Sequence, residues 1–111
     1  IENVIGVVGI VCKSIEKGDE IYVYYGAKPG FTYYYRDNID SQMYGKYSRE
    51  NPDGYLQEID QLILSNSRIW IVFSHCYANE CETIQKHVSE KHKVESVVSD
   101  NGAWLYLIHN P

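Results

Sequence analysis

The segment from Arg68 to Ser74 constrains the fold more than any other part of this 111-residue chain. It reads RIWIVFS and is apolar at almost every position. A strand with one wet face alternates apolar and polar residues, so a continuous apolar run is typical of a strand that is covered on both faces. Helical patterns precede and follow the segment. It therefore predicts the central strand of an α/β sheet.

Three further segments have strand patterns. In Asp19–Tyr25, the side chains Ile21, Val23 and Tyr25 alternate with Tyr22 and Tyr24, and the segment is rich in β-branched and aromatic residues. Lys93–Ser99 and Ala103–His109 flank Asp100-Asn101-Gly102, and Asn-Gly is a strong signal of a two-residue hairpin turn. The sequence thus predicts a C-terminal antiparallel hairpin, and Met43–Tyr47 is a candidate for an additional short strand.

Helical spacing of apolar residues recurs along the chain. Ile1–Ile15 repeats them every three or four positions and predicts a helix that Gly18 stops, although two glycines leave a buried strand over Val4–Cys12 open. The other predicted helices are a short aromatic one over Gly30–Asp37, one over Tyr55–Leu64 after the turn Asn51–Gly54, and one over Asn79–His92 with Asn79 as its N-cap.

The alternation of helices and strands predicts a small three-layer α/β sandwich. Its sheet is mixed, with parallel central strands and the antiparallel hairpin at the C-terminus. A chain of this length is expected to form one domain, residues 1–111. Because the first residues, starting at Ile1, already resemble the middle of an element, we interpret the chain as a soluble domain excised from a longer protein.

Charge and hydropathy argue against broad nucleic-acid binding and against a membrane-spanning segment within this piece. The formal net charge is −5 and the ten basic residues are scattered, whereas nucleic-acid binding requires a concentrated cationic face. We therefore expect no nucleic-acid partner. The longest apolar run, Val4–Cys12, falls short of the roughly 18–20 residues that span a bilayer.

Tyrosine is unusually frequent, with eleven in the chain and six of them in Ile21–Tyr35. Its apolar ring and polar tip suit surfaces that are half buried and half wet. In α/β folds, ligands bind beyond the carboxyl ends of parallel strands. If Asp19–Tyr25 and Arg68–Ser74 are neighbours, the loops that follow them share one rim. The candidate ligand-binding residues on it are Tyr25, Gly26, Lys28, His75 and Tyr77.

That rim suits a sugar or a phosphate-bearing group, and the alternative is that the loops merely cap the sheet. We predict no catalytic residue, because Ser74-His75 would place a nucleophile and its base on opposite faces of a strand. No phosphate-loop or calcium-loop spacing is present, so we expect no cofactor and no metal ion. We interpret Asp19-Glu20 as a solvated edge, and His87 and His92 as surface residues.

The three cysteines leave alternatives open. An odd count does not indicate a disulfide framework, and three mostly buried thiols are the favoured interpretation. Cys76 and Cys81 form a disulfide if the loop between them turns back. Together with His75 they also offer three metal ligands, but this spacing matches no common structural zinc pattern.

Two segments resemble a known family. Gly18–Pro29, followed by Phe31 and Tyr33–Tyr35, resembles a pattern in multi-spanning membrane glycosyltransferases, the dolichyl-phosphate-mannose protein mannosyltransferase-like proteins and their bacterial and archaeal relatives. Arg68–His75 resembles it too, as does the strand containing Trp104–Leu107. The resemblance extends from Gly18 to Ile108 and includes no single diagnostic motif.

The resemblance implies a non-catalytic extracytoplasmic domain, periplasmic or extracellular, tethered through a membrane-spanning parent. Such a domain supports acceptor positioning or packs on the membrane-embedded part of the same chain, and the implied ligands are a sugar or a lipid-phosphate-sugar. The family's catalytic acids lie on loops among its membrane helices, and no position here matches them. An extracytoplasmic location also favours the Cys76–Cys81 bridge. The alternative function is a small-ligand or sugar-binding α/β module.

Overall fold

The computed structural model describes residues 9–10, 13–24, 42–44, 52–66, 68–74, 76, 79–100 and 102–109, with backbone alone at 42–44, 52–53, 55 and 100. In this part of the chain the elements are β1 (Glu20–Val23), β2 (Gln42–Tyr44), α1 (Pro52–Ser65), β3 (Arg68–Phe73), α2 (Glu80–Lys91), β4 (Val94–Asp100) and β5 (Ala103–His109). Gly9, Ile10, Lys13 and Ser14, which precede β1, are helical, as the sequence predicts.

The described strands form one mixed sheet in the order β2-β1-β3-β5-β4. β1 is parallel to both β2 and β3, with Val23 paired to Tyr44 on one side and to Val72 on the other. β5 is antiparallel to β3 and to β4. The predicted α/β class, the parallel central strands and the C-terminal antiparallel hairpin are confirmed.

The alternation of β1 divides the interior into two cores. Ile21 and Val23 point into the first core, which the partly buried Ile10 and Ile15 contact. Tyr22 and Tyr24 point to the opposite face, where α1 and α2 pack. β3 supplies apolar side chains to both cores and is buried along its length, as expected for a strand covered on both faces. The sheet is thus the middle of three layers.

Helix α1 begins earlier than the sequence analysis predicts. Asn51–Gly54 reads as a turn before a helix at Tyr55, but the structure starts the helix at Pro52. Proline suits the first helical position because its missing N–H would have no partner there, so turn-like residues extend the helix. The predicted apolar face is correct, since Ile59 and Ile63 are buried against the sheet.

Helix α2 matches its predicted range, but its start differs in chemistry. Asn79 occupies the N-cap position and its side chain makes no capping hydrogen bond. Instead its backbone carbonyl oxygen accepts hydrogen bonds from the amide and hydroxyl of Thr83, at 3.0 and 2.9 Å. The helix is therefore anchored at its first turn through backbone geometry.

Both predicted glycine stops are confirmed. Gly18 has a φ of 91° after the helical residues, and Gly102 has a φ of 83° in the hairpin turn, where Asp100 pairs with Ala103. L side chains rarely adopt this conformation, so glycine is required by the backbone at both places. The predicted strand Met43–Tyr47 corresponds to β2, and its last three residues lie outside the described residues, as does the predicted aromatic helix Gly30–Asp37.

The amino edge, defined by Glu16, Asp19, Arg68 and Trp70, corrects the interpretation of Asp19 as solvated. Asp19 is only 2% exposed. Its Oδ2 accepts hydrogen bonds from Arg68 Nε at 3.1 Å, Trp70 Nε1 at 2.9 Å and the Glu16 amide at 2.8 Å. A buried carboxylate is stable only when it is paired and hydrogen-bonded, and these donors satisfy that requirement. The amino edge thus fastens β1 to β3 where both strands begin.

Candidate functional site

The carboxyl ends of β1 and β3 lie side by side. The two strands are parallel neighbours, and the Tyr24 amide donates to the Val72 carbonyl oxygen at 2.9 Å, which continues their pairing past the last residue of β1. We define the carboxyl edge as Tyr24, Ser74, Cys76 and the first turn of α2, Asn79–Cys81. The premise of a shared rim is therefore confirmed.

The candidate ligand-binding residues predicted for that rim lie next to these edge residues in the sequence. Tyr25, Gly26, Lys28, His75 and Tyr77 all lie outside the described residues. Their assignment to a ligand site stays a prediction. The structure instead describes the residues beside them, and both Tyr24 and Ser74 are fully buried.

A tyrosine–carboxyl pair joins β1 to α2 at the carboxyl edge. The Tyr24 hydroxyl donates a hydrogen bond to Glu80 Oε1, and Glu80 is only 5% exposed. The sequence analysis assigns Glu80 merely to the first helical turn. One signal for its burial is present in the sequence, because Glu80 shares the spacing of four residues with the buried Ile84 and Val88.

A second tyrosine–carboxyl pair joins Tyr22 of β1 to α1. The Tyr22 hydroxyl donates to Glu58 Oε1 on α1 at 3.0 Å, and Glu58 is partly exposed. The two inward-facing tyrosines of β1 therefore each reach a carboxyl group on a different helix. Their polar tips are paired inside the second core, so these two rings are packing residues rather than a ligand surface.

Ser74 differs from its neighbours in its hydrogen bonding. Its hydroxyl oxygen is the one buried side-chain polar atom without a hydrogen-bond partner among the described residues. Leaving a buried hydroxyl unpaired costs on the order of 1–3 kcal/mol. Such a cost is typical of positions where stability is given up for another role. The carboxyl edge therefore holds unused hydrogen-bonding capacity where β3 ends.

Cys76 and Cys81 are joined as a disulfide, with their Cα atoms 5.5 Å apart and a separation of five positions in the sequence. The bridge connects the segment after β3 to the first turn of α2. Of the alternatives that the sequence leaves open, the structure contains the bridge rather than two free thiols at these positions. Cys12, the third cysteine, lies outside the described residues.

A cluster of Asp60, His87 and His92 lies on the helical layer and corrects the interpretation of both histidines as surface residues. Each is mostly buried, and their Nε2 atoms lie 2.9 and 2.8 Å from Asp60 Oδ1. Burial alone would raise the pKa of Asp60, but hydrogen bonds from His92 and His87, with their positive charge, lower it overall. The cluster connects α1 to α2.

Among the described residues, no group of three or more His, Cys, Asp or Glu side chains has a geometry that would hold a metal ion. In the same part of the chain, no helix combines the length and the apolar character needed to cross a membrane. The chain matches no protein-family model, no curated protein and no solved structure. Functional inference therefore rests on the sequence pattern and on the carboxyl edge.

Proposed function

We propose that this chain is a non-catalytic, extracytoplasmic α/β domain of a membrane glycosyltransferase-like protein. Its carboxyl edge positions an acceptor or packs against the membrane-embedded part of the same parent chain. One observation carries the proposal: β1 and β3 are parallel neighbours. This pairing makes neighbours of Glu20–Val23 and Ile69–Val72, which belong to the two segments that resemble the glycosyltransferase pattern and are far apart in sequence.

The Cys76–Cys81 bridge supports the extracytoplasmic part of the proposal. Disulfides persist in oxidising compartments and are rare where cellular thiols keep cysteines reduced. A bridge between the end of β3 and the start of α2 would be retained on the outer side of a membrane.

The hydrogen bonds that Glu58 and Glu80 accept from tyrosines support a non-catalytic role. Glu58 and Glu80, which face β1 from the two helices, each accept a hydrogen bond from a tyrosine hydroxyl. A general acid or base must reach a proton of the substrate. Carboxyl groups held by buried tyrosines are suited instead to fixing β1 against the helices, and thereby to fixing the carboxyl edge.

Cysteine accessibility in the full-length parent protein tests the location. Leu64→Cys, in a Cys12→Ser background, places a thiol at a position that is 76% exposed, while the disulfide leaves the other cysteines unreactive. A membrane-impermeant maleimide should label this variant as fully in intact cells as after lysis. Ile63→Cys, buried on the same helix, is the matched control and should stay unlabelled in both. Labelling of the Leu64→Cys variant only after lysis would contradict the proposal.

The second candidate is a small-ligand or sugar-binding module, and the unpaired Ser74 hydroxyl favours it. A titration with mannosides, and separately with a polyprenyl-phosphate mannose, should shift the amide NMR signals of Tyr24, Ser74 and Cys76. The amides of Gly18 and Asp19, at the other end of the strands, serve as the internal control and should not move. The absence of shifts at the carboxyl edge with either ligand would remove this candidate and leave the first unaffected.

A further inference from the structure

The two sulfur atoms of the carboxyl edge differ in their surroundings. Both cysteines contact the second core, but Cys76 is partly exposed, whereas Cys81 is only 7% exposed. An external thiolate can therefore approach one sulfur of the bridge more readily than the other. Thiol–disulfide exchange depends on which sulfur is attacked and on access to it.

We infer that the Cys76–Cys81 disulfide is a thiol-exchange site for a low-molecular-weight thiol, which attacks at Cys76 and frees Cys81. The thiolate forms a new S–S bond with Cys76 Sγ, and the Cys76–Cys81 bond breaks. Cys81 Sγ leaves with the electron pair and takes a proton from solvent. A second thiolate then attacks the mixed disulfide, so two thiols become one external disulfide while the protein gains two electrons and two protons.

The position of Cys81 has two opposing effects on its thiolate. It is the second residue of α2, where the helix dipole favours a negative charge. The Asn79 side chain makes no capping hydrogen bond there. Burial of Cys81 in the second core opposes this effect of the helix start, so the expected direction of attack rests on the greater exposure of Cys76.

The fold can retain its structure when the bridge opens. The two cysteines are only five positions apart. Closing so short a loop removes little chain entropy from the unfolded state, so the bridge contributes less to stability than one that closes a long loop. The sheet and both cores are held by other residues. Opening would act locally, because Cys81 adjoins Glu80, whose carboxyl group accepts the hydrogen bond from Tyr24. The expected consequence is a loosened contact between α2 and the end of β1.

Mapping the mixed disulfide in the wild-type chain tests the direction of attack. The protein is partly reduced with glutathione under native conditions, quenched with acid, and digested for mass spectrometry. Glutathione should be found on Cys76 in excess over Cys81, on the order of tenfold. Equal adducts, or an excess on Cys81, would overturn the inference. The peptide that contains Cys12 is counted separately.

Single variants give the same comparison without partial reduction. Cys81→Ser keeps the thiol of Cys76, and Cys76→Ser keeps that of Cys81, both in a Cys12→Ser background. The first should react with oxidised glutathione faster, again on the order of tenfold. If either variant fails to fold, the wild-type mapping still decides the question.

The consequence of opening is measured by amide NMR on the chain before and after reduction with excess glutathione. Signals of Tyr24, Glu80 and Cys81 should shift, while those of Asp19 and Arg68 should not. A bridge that stays oxidised unless the protein is denatured, or that opens without shifts at Tyr24 and Glu80, would overturn the inference. Neither result depends on the glycosyltransferase proposal, which the location experiment tests by itself.

Discussion

The two ends of the parallel pair β1–β3 bury polar groups in different ways. At the amino edge, Asp19 is buried beneath three donors, and Arg68 also lies over the Trp70 ring at 5.4 Å. At the carboxyl edge, Tyr24 and Glu80 are paired, Ser74 has a hydroxyl without a partner in the described part of the chain, and a disulfide adds a covalent link.

The two ends therefore differ in how completely their polar groups are paired. At the amino edge, one carboxylate oxygen, Asp19 Oδ2, accepts hydrogen bonds from β3 and from the segment that precedes β1. The carboxyl edge leaves the Ser74 hydroxyl without a partner among the described residues and includes the Cys76–Cys81 bridge. Ligand sites in α/β proteins lie at carboxyl ends of parallel strands, and the incomplete pairing lies at that end here.

The largest expected effect is at the amino edge. Asp19→Ala removes the carboxylate oxygen that accepts hydrogen bonds from Arg68 Nε and Trp70 Nε1. Both N–H groups lose that partner. Breaking a buried pair in this way costs about 3–5 kcal/mol in the free energy of unfolding, measured by urea denaturation. Asp19→Asn keeps an acceptor oxygen and should cost clearly less. Equal free energies of unfolding for wild type and Asp19→Ala would show that the amino edge does not stabilise the protein more than the carboxyl edge does.

The hydrogen bonds of Tyr22, in β1, and of Tyr24, directly after it, allow a matched comparison of two tyrosine–carboxyl pairs. Tyr24→Phe removes a donor from the buried Glu80 and should cost about 2 kcal/mol in the free energy of unfolding. Tyr22→Phe removes a donor from the partly exposed Glu58, to which water has access, and should cost about 1 kcal/mol or less. Chemical denaturation of both variants checks the order. A reversed order would mean that burial of the acceptor does not set the difference.

Ser74→Ala is expected to stabilise the protein. Removing a buried hydroxyl that lacks a partner relieves its desolvation cost and should raise the free energy of unfolding by about 1 kcal/mol. If the carboxyl edge binds a sugar, the same variant should bind it more weakly, which is the usual trade between stability and function. Destabilisation by the substitution would indicate that the hydroxyl is paired in solution.

The smallest effect concerns the pH dependence of the Asp60 cluster. The pKa of Asp60 is lowered in the folded state, so its contribution is present above its usual value of 3.8 and is lost as pH falls through the folded pKa. For this partly exposed group the contribution is under about 1 kcal/mol. Asp60→Asn should therefore be less stable than wild type at about pH 6, and the gap should close towards about pH 3. Urea denaturation at both pH values measures it, and an unchanged gap would contradict the assignment.

Much of the fold could be predicted because its signals are local. Alternation along β1 assigned Tyr22 and Tyr24 to one face, and the apolar run of β3 identified a strand covered on both sides. Asn101-Gly102 indicated the hairpin. The start of α1 at Pro52 was missed, because turn residues and the first helical turn favour the same residue types.

The candidate site was predicted only in outline. The sequence predicted a shared rim only on the condition that β1 and β3 are neighbours, and it gave no sign that Ser74 would lack a partner or that Glu80 would meet Tyr24. Charged residues are mostly exposed, and that prior assigned Asp19, His87 and His92 to the surface. In each case a specific partner on another element overrides the prior.

Sequence by itself determined the strands, the helical faces and the hairpin, because periodicity and turn chemistry act between near neighbours, whereas it left open whether β1 and β3 are adjacent. Tertiary structure alone decided which polar groups are buried together. Trp70 lies 51 residues from Asp19, and Glu80 lies 56 residues from Tyr24. A residue type records its own preference for water, whereas the donor that makes burial tolerable comes from a distant element and is present only after the sheet and helices have packed.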